Sequence, residues 1–395
     1  MFARLIGRRK VTARLFAVLS LAWISACAPV PIAGTGGNEG PRIDPGAPVR
    51  VALMVPGGTG DATNDFLAKT LENAARLAIS DLQGVQIDLR VYNTGPDPQQ
   101  ATDAALLAQS EGAQILLGPL FADAANAAGL AVANSGINVL AFSNNPTIAG
   151  GNVFILGPTF RNTAARLVSY GRTQGINSYV IAHSDDLQGN IGRDSISAAI
   201  NQAGASLARV ESYPLSQDGI LSRASSIAAA ANASGADAIF LTAGVNADLP
   251  ILATALPEAG LNPEVVRYVG LTRWDVAPQA LALPGLQGGL FALPDRNMAA
   301  NFAARYGQAF GEAPHPLAGL AYDGIAAIGA LVAQGNANAL TRSALTQGQG
   351  FQGTNGIFRL LPDGTNERGL AVATIQNNQV VILDAAPRSF GGAGF

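Results

Sequence analysis

Residues 113–146, AQILLGPLFADAANAAGLAVANSGINVLAFSNNP, leave the chain few choices of fold. A short apolar run, Ile115-Leu116-Leu117, stops on Gly118-Pro119. An alanine-rich helical stretch follows, then a second apolar run over 139–142 that stops on Ser143-Asn144-Asn145. Strand, turn, helix and strand in that order make one parallel crossover, and such crossovers are right-handed in nearly all cases. Both strands then end on the same edge of one sheet, where open α/β sheets bind ligands. Gly118 and the polar pair Ser143 and Asn144 reach that edge either as parts of a binding site or as ordinary loops.

The same period repeats along the chain. Strands are predicted over 49–55, 86–92, 179–183, 207–213, 238–242 and 266–271, and helices over 65–81, 98–110, 163–174, 192–203, 221–234 and 247–259. This alternation argues for an α/β fold with parallel sheets flanked by helices. Phe66, Leu67, Ala74, Leu77 and Ala78 form the apolar side of the first helix. Runs over 152–156 and 288–293 read as crossings between two lobes, and helices over 296–310 and 317–333 as a return to the first lobe. Segments 356–361, 369–375 and 380–383, separated by Pro362-Asp363-Gly364 and Asn377-Asn378, read as one antiparallel meander. The expected division is 49–155 with 294–348 as lobe 1, and 156–293 with 349–388 as lobe 2. Several crossovers at one hinge permit closure around something held between the lobes.

The first 48 residues follow a different pattern. Arg4, Arg8, Arg9, Lys10 and Arg14 precede an apolar stretch over 15–25, too short to span a bilayer and suited to a signal peptide. It ends Leu21-Ala22-Trp23-Ile24-Ser25-Ala26-Cys27, which resembles a bacterial lipobox, and Cys27 is the only cysteine in the chain. The expectation is a signal peptide over 1–27, a lipid on Cys27 and a Pro/Gly-rich flexible tether over 28–48. Ala28, where inner-membrane retention would favour Asp, resembles the sorting state for the inner leaflet of the outer membrane. Beyond the signal no stretch of 18 residues is uninterruptedly apolar; the run 317–333 is broken by Asp323. The membrane is therefore expected to be met through the N-terminal lipid alone.

Charge and motif content exclude several classes. Five of the 24 basic residues and none of the 27 acids precede Cys27, so the remainder carries 19 basic against 27 acidic groups, a formal charge of −8. No Lys/Arg cluster follows residue 14, and no nucleic-acid partner is expected. Gly58 to Thr63, GTGDAT, imitates a dinucleotide fingerprint but ends on Thr where Gly or Ala is required. Neither a phosphate loop nor a Gly-x-Ser-x-Gly elbow is present. His183 and His315 are the only histidines, and His183-Ser184-Asp185 are neighbours that rarely converge on one reacting atom. The expectation is a non-enzyme without cofactor or metal.

Specific segments carry a family likeness. Residues 51–56 (VALMVP), 115–119, 139–144, 180–189 and 247–261 are similar to type 1 periplasmic binding proteins of the leucine/isoleucine/valine-binding family, over about residues 49–384. LLGPLF at 116–121, LAFSNNPTIAG at 140–150 and GTNGIFRLLPDGTNERGLAV at 353–372 most resemble the penicillin-binding protein activator lipoproteins within it. The resemblance implies a two-lobed periplasmic protein whose partner is a penicillin-binding protein (a peptidoglycan synthase) or an ABC permease. It also implies a small amino-acid-like or muropeptide ligand. Strand ends nominate Thr59, Gly118, Ser143, Asn144, Asp185, Thr242 and Trp274 for the cleft, with Asp185 alternatively a solvated loop residue and Trp274 alternatively a packing residue. Amino-acid receptors of this fold place a Ser or Thr shortly after the Gly-Pro turn and an acid in the second lobe. Here Leu120, Phe121, Ala122 and Asp123 follow Pro119, and Ala243-Gly244-Val245 follow Thr242. A buried zwitterion without partners for both charges is costly, so the departures point away from ordinary amino acids.

Overall fold

The computed structural model describes residues 40–391. Expectations for the signal segment, for Cys27 and for most of the tether fall outside them. The chain opens with β1 (Val49–Val55), α1 (Ala62–Asp81), β2 (Ile87–Asn93), α2 (Pro98–Ser110), β3 (Ile115–Leu117), α3 (Ala122–Val132), β4 (Asn138–Ala141) and β5 (Val153–Ile155). The five strands form one parallel sheet in the order β2-β1-β3-β4-β5. The organising crossover is as expected, with Leu117 of β3 beside Leu140 of β4.

Period-2 alternation assigns the two faces of this sheet. Val51, Leu53 and Val55 of β1 join Ile115, Leu117 and Leu140 against Leu67, Leu71 and Ala75 of α1. Ala52 and Met54 point the other way, joining Leu116, Val139 and the small residues Ala105, Ala108, Ala125 and Ala128 of α2 and α3. Each fully buried Leu or Val contributes about 1.5–3 kcal/mol, so these two faces carry most of the stability of the lobe. Acidic caps fix the helix starts: Asp61 accepts from the Asn64 N–H, and Asp97 from the Gln99 N–H with Pro98 following.

After β5 come α4 (Phe160–Thr173), β6 (Ser178–Ser184), α5 (Leu187–Gln202), β7 (Ser206–Tyr213), α6 (Gln217–Ser234), β8 (Ala238–Leu241), α7 (Leu249–Glu258), β9 (Arg267–Gly270) and β10 (Leu290–Leu293). The chain returns through α8 (Arg296–Phe310) and α9 (Ala318–Val332), then α10 (Arg342–Leu345), β11 (Phe351–Gly353), β12 (Gly356–Leu360), β13 (Asn366–Arg368), β14 (Ala371–Gln376) and β15 (Gln379–Asp384). The second sheet has the order β15-β14-β10-β9-β8-β6-β7, parallel except at β14 and β15. Leu320, Ile325, Ile328 and Leu331 of α9 join the same core as Val51, Leu53 and Leu71.

The single meander expected near the C-terminus is not formed. β12 pairs with β11 and β13 in a separate three-stranded sheet, while β14 and β15 extend the second-lobe sheet. Burial drives the division: Phe351, Phe358 and Leu360 belong to the first lobe's core, and Ala371, Ala373 and Ile375 to the second's. Residues 349–388, expected in lobe 2, are thus shared between the lobes. The β14–β15 turn is as anticipated, with Asn377 and Asn378 at φ 52° and 61°, the two left-handed residues that a tight hairpin needs.

Candidate interlobe site

Parallel strands bring their C-terminal loops to one edge of each sheet. In the first lobe β1, β3 and β4 are neighbours, so Thr59, Gly118 and the pair Ser143 and Asn144 share an edge. Gly118 has φ 96°, and a Cβ there would run into the carbonyl of Met54, so only glycine lets this turn pass so close to β1. Its N–H donates to Leu140 O at 2.8 Å, and Phe142 N–H donates back to Pro119 O at 2.9 Å. Thr59 is exposed and accepts from Asp61 N–H at 3.4 Å. Ser143 is buried, and its Oγ accepts from Asn145 N–H at 3.1 Å; Asn144 is exposed. No hydroxyl follows the Gly-Pro turn: Phe121 occupies the N-cap of α3 and makes no side-chain hydrogen bond there.

In the second lobe β6, β8 and β9 adjoin, placing Asp185, Thr242 and Thr272 on one edge. The two adjacent aspartates divide their roles. Asp186 caps α5, accepting from Ser184 Oγ at 2.6 Å and Gly189 N–H at 2.9 Å, and these bonds hold its carboxyl below the usual range. Asp185 is exposed, and among the described residues its carboxylate makes no hydrogen bond. Thr242 is buried beside Gly192 of α5. Sequence reasoning missed Asp248, which it placed inside a helix starting at 247. The buried Asp248 accepts from Tyr213 O–H at 2.6 Å and from Gly244 N–H at 2.7 Å, closing the loop after β8. Its position one residue before Leu249-Pro250, the start of α7, was the available signal.

Trp274 is not a cleft residue. It is 0% exposed, packs on Phe291 at 5.4 Å between ring centres, and faces Gly289, where a Cβ would lie 2.7 Å from the indole. Burial of the largest side chain outweighs its position after a strand end. The neighbouring Arg273 is exposed and spent on Asp275 at 2.7 Å.

The crossings between the lobes are bound by buried side chains. Asn366 Nδ2 donates to Ile155 O at 2.7 Å and Gly157 O at 2.9 Å, while Asn162 Nδ2 donates to Asn366 O at 2.9 Å. Arg166 Nε donates to Leu370 O at 2.7 Å, and Arg368 donates to Leu156 O. Asp323, the residue that interrupts the apolar run of α9, pairs with Arg368 at 3.4 Å and accepts from Thr354 N–H at 2.6 Å. Taken with the loops, the site offers backbone N–H groups and small polar side chains on both edges. The acids on the second edge other than Asp185 are committed to the fold. Among the described residues no group of three or more His, Cys, Asp or Glu could hold a metal, and no helix is long and apolar enough to cross a membrane.

The family profile described as "Periplasmic binding protein" matches residues 48–379. This chain belongs to the periplasmic binding protein family, of the leucine-binding type. Among solved structures it is similar to a protein from Rhodospirillum rubrum described as a branched-chain amino acid ABC transporter, at 17% identity over 85% of this chain and 100% of that one, TM-score 0.70. A branched-chain amino acid ABC transporter periplasmic ligand-binding protein from Burkholderia xenovorans matches at 17% identity over 86% and 96%, TM-score 0.63. An ABC transporter substrate-binding protein from Desulfitobacterium hafniense, in complex with Leu, matches at 17% identity over 85% and 100%, TM-score 0.60. At this identity the likeness establishes the two-lobed fold. No curated protein matches this chain.

Proposed function

We propose that this protein is a non-catalytic lipoprotein, anchored through Cys27 to the inner leaflet of the outer membrane, that regulates a penicillin-binding protein by direct contact. The observation that carries this reading is the lack of a grip for a free amino acid. Where a receptor needs a hydroxyl for the ligand carboxylate, Leu120 and Phe121 follow Gly118-Pro119, and the buried acid near the second edge, Asp248, is consumed by Tyr213 and Gly244. The strapped crossings add support, because a receptor that must open and close gains little from buried polar ties between its hinge segments. Thr59, Gly118, Ser143, Asn144, Asp185 and Thr242 then form the rim of a surface that meets a muropeptide or the partner.

A second reading, the substrate-binding component of an ABC importer, is favoured by the solved relatives, one of which holds Leu. Fold alone does not choose between them. The test is the glycan-polymerising rate of purified bifunctional penicillin-binding proteins from the same bacterium, with and without this protein. The regulator reading expects one synthase to bind it and accelerate. If every synthase is neither bound nor accelerated, the reading fails.

A further inference from the structure

A cavity of about 510 Å³ opens between α8, α9 and β11, and none of the residues nominated for the cleft lines it. Helical spacing sets its walls. Asn297, Asn301 and Arg305 recur every four residues along one face of α8, and Tyr322 and Ala326 do the same on α9. Met298, Phe302 and Tyr322 supply an apolar floor, the two rings packed edge to face at 5.6 Å. The Tyr322 phenol is fixed, donating to Asp81 of α1 at 2.6 Å, and Arg305 pairs with the same carboxylate. The floor is thus held in place, and the charge of Arg305 is balanced.

The rim is uncommitted. Asn297 and Asn301 of α8 and Gln352 of β11 are exposed, and among the described residues their carboxamides make no hydrogen bond. Arg388, beyond β15, is exposed and makes no hydrogen bond or ion pair among the described residues, and no acid lines the cavity. Each carboxamide offers a donor and an acceptor, the same two groups that a peptide unit presents. A guanidinium with no acid on the surrounding walls asks for a carboxylate. The same lack of an acid leaves nothing to hold an ammonium, so the free end that this cavity suits is a carboxyl end. Its volume falls within the usual range of ligand sites, about 300–1,000 Å³, with room for a short peptide.

We propose that this cavity binds the carboxyl-terminal end of a peptide. The terminal carboxylate meets Arg388, the last peptide units meet the carboxamides of Asn297, Asn301 and Gln352, and an apolar side chain lies on Met298, Phe302 and Tyr322. Such an end has two sources, the D-amino-acid stem peptide of the cell wall and the L-amino-acid tail of a protein, and both share this chemistry. The site stands whichever reading of the cleft holds.

The test is isothermal titration of the purified protein with N-acetyl-D-alanyl-D-alanine and N-acetyl-L-alanyl-L-leucine, each as the free acid and as the carboxyl-terminal amide. Saturable binding of at least one acid is expected, weakened about tenfold or more by amidation and by Arg388→Ala, and unchanged by Asp185→Asn on the cleft edge. Preference for the D-peptide assigns the site to the cell wall, and preference for the L-peptide to a protein tail. Arg388 and Asn301 are exposed and unpaired, so Arg388→Ala and Asn301→Ala leave the fold intact, and the second should weaken binding as well. No heat from either acid at millimolar concentration, equal binding of acid and amide, or unchanged affinity in Arg388→Ala would each overturn the proposal.

Discussion

Replacing Asp323 with Ala tests how the two lobes are held. Asp323 is 0% exposed, 3.4 Å from Arg368 and 2.6 Å from the Thr354 N–H, so one carboxylate serves α9, β13 and the loop after β11. At that separation and an effective dielectric constant of about 20, the attraction is on the order of 5 kcal/mol before desolvation. Desolvation offsets much of this, and burial works against the charge on both partners. The variant nonetheless leaves a buried guanidinium uncompensated and an amide unmet. Breaking a buried pair in this way costs about 3–5 kcal/mol. Arg368→Met should cost a similar amount, whereas Asp323→Ala combined with Arg368→Met should cost well below the sum, because no lone charge remains. The readout is the urea midpoint and slope of the three variants by circular dichroism. Single variants each losing less than about 1 kcal/mol, or a strictly additive double variant, would refute the reasoning.

Two further outcomes follow from the second lobe. Trp274→Ala should destabilise by about 3–5 kcal/mol, since it empties a fully buried site against Phe291; a near-neutral midpoint in urea would return Trp274 to the list of surface residues. Asp186 has its folded carboxyl below the ordinary 3.8, through Ser184 Oγ and then Gly189 N–H, so its contribution is present above that value and lost as the pH falls through the folded one. Asp186→Asn should therefore flatten the acid limb of a stability–pH profile below about pH 4, and an unchanged limb would contradict the capping role.

The repeating strand–helix pattern was legible because parallel strands buried on both faces read as continuous apolar runs, as in Ile115–Leu117 and Ala238–Leu241. Helix starts were less so. α5 begins at Leu187 rather than at 192, because Gly189 and Gly192 lower local helix propensity, yet a Cβ at Gly192 would lie 2.8 Å from Thr242. β11 and β13 are three residues each, too short for alternation to register. Asp323 stood out as an interruption in an apolar run, but its partner lies 45 positions away. Asn162 and Asn366 meet across 204 positions, and no local pattern announces such a tie. Of the residues nominated for the rim, Thr59, Gly118, Ser143, Asn144, Asp185 and Thr242 lie at strand ends, while Trp274 is buried in the core.

The most direct measurement is thermal unfolding of the purified protein with leucine, isoleucine, valine and glutamine, each at saturating concentration. A ligand at a hundred times its dissociation constant stabilises by about 2.7 kcal/mol, a shift that cannot be missed. The account predicts no shift with any of the four, because no hydroxyl follows Gly118-Pro119 to hold the carboxylate, and of the acids on the second edge only Asp185 is free to meet the ammonium. A saturable shift with one of them would contradict it and make this protein a solute receptor.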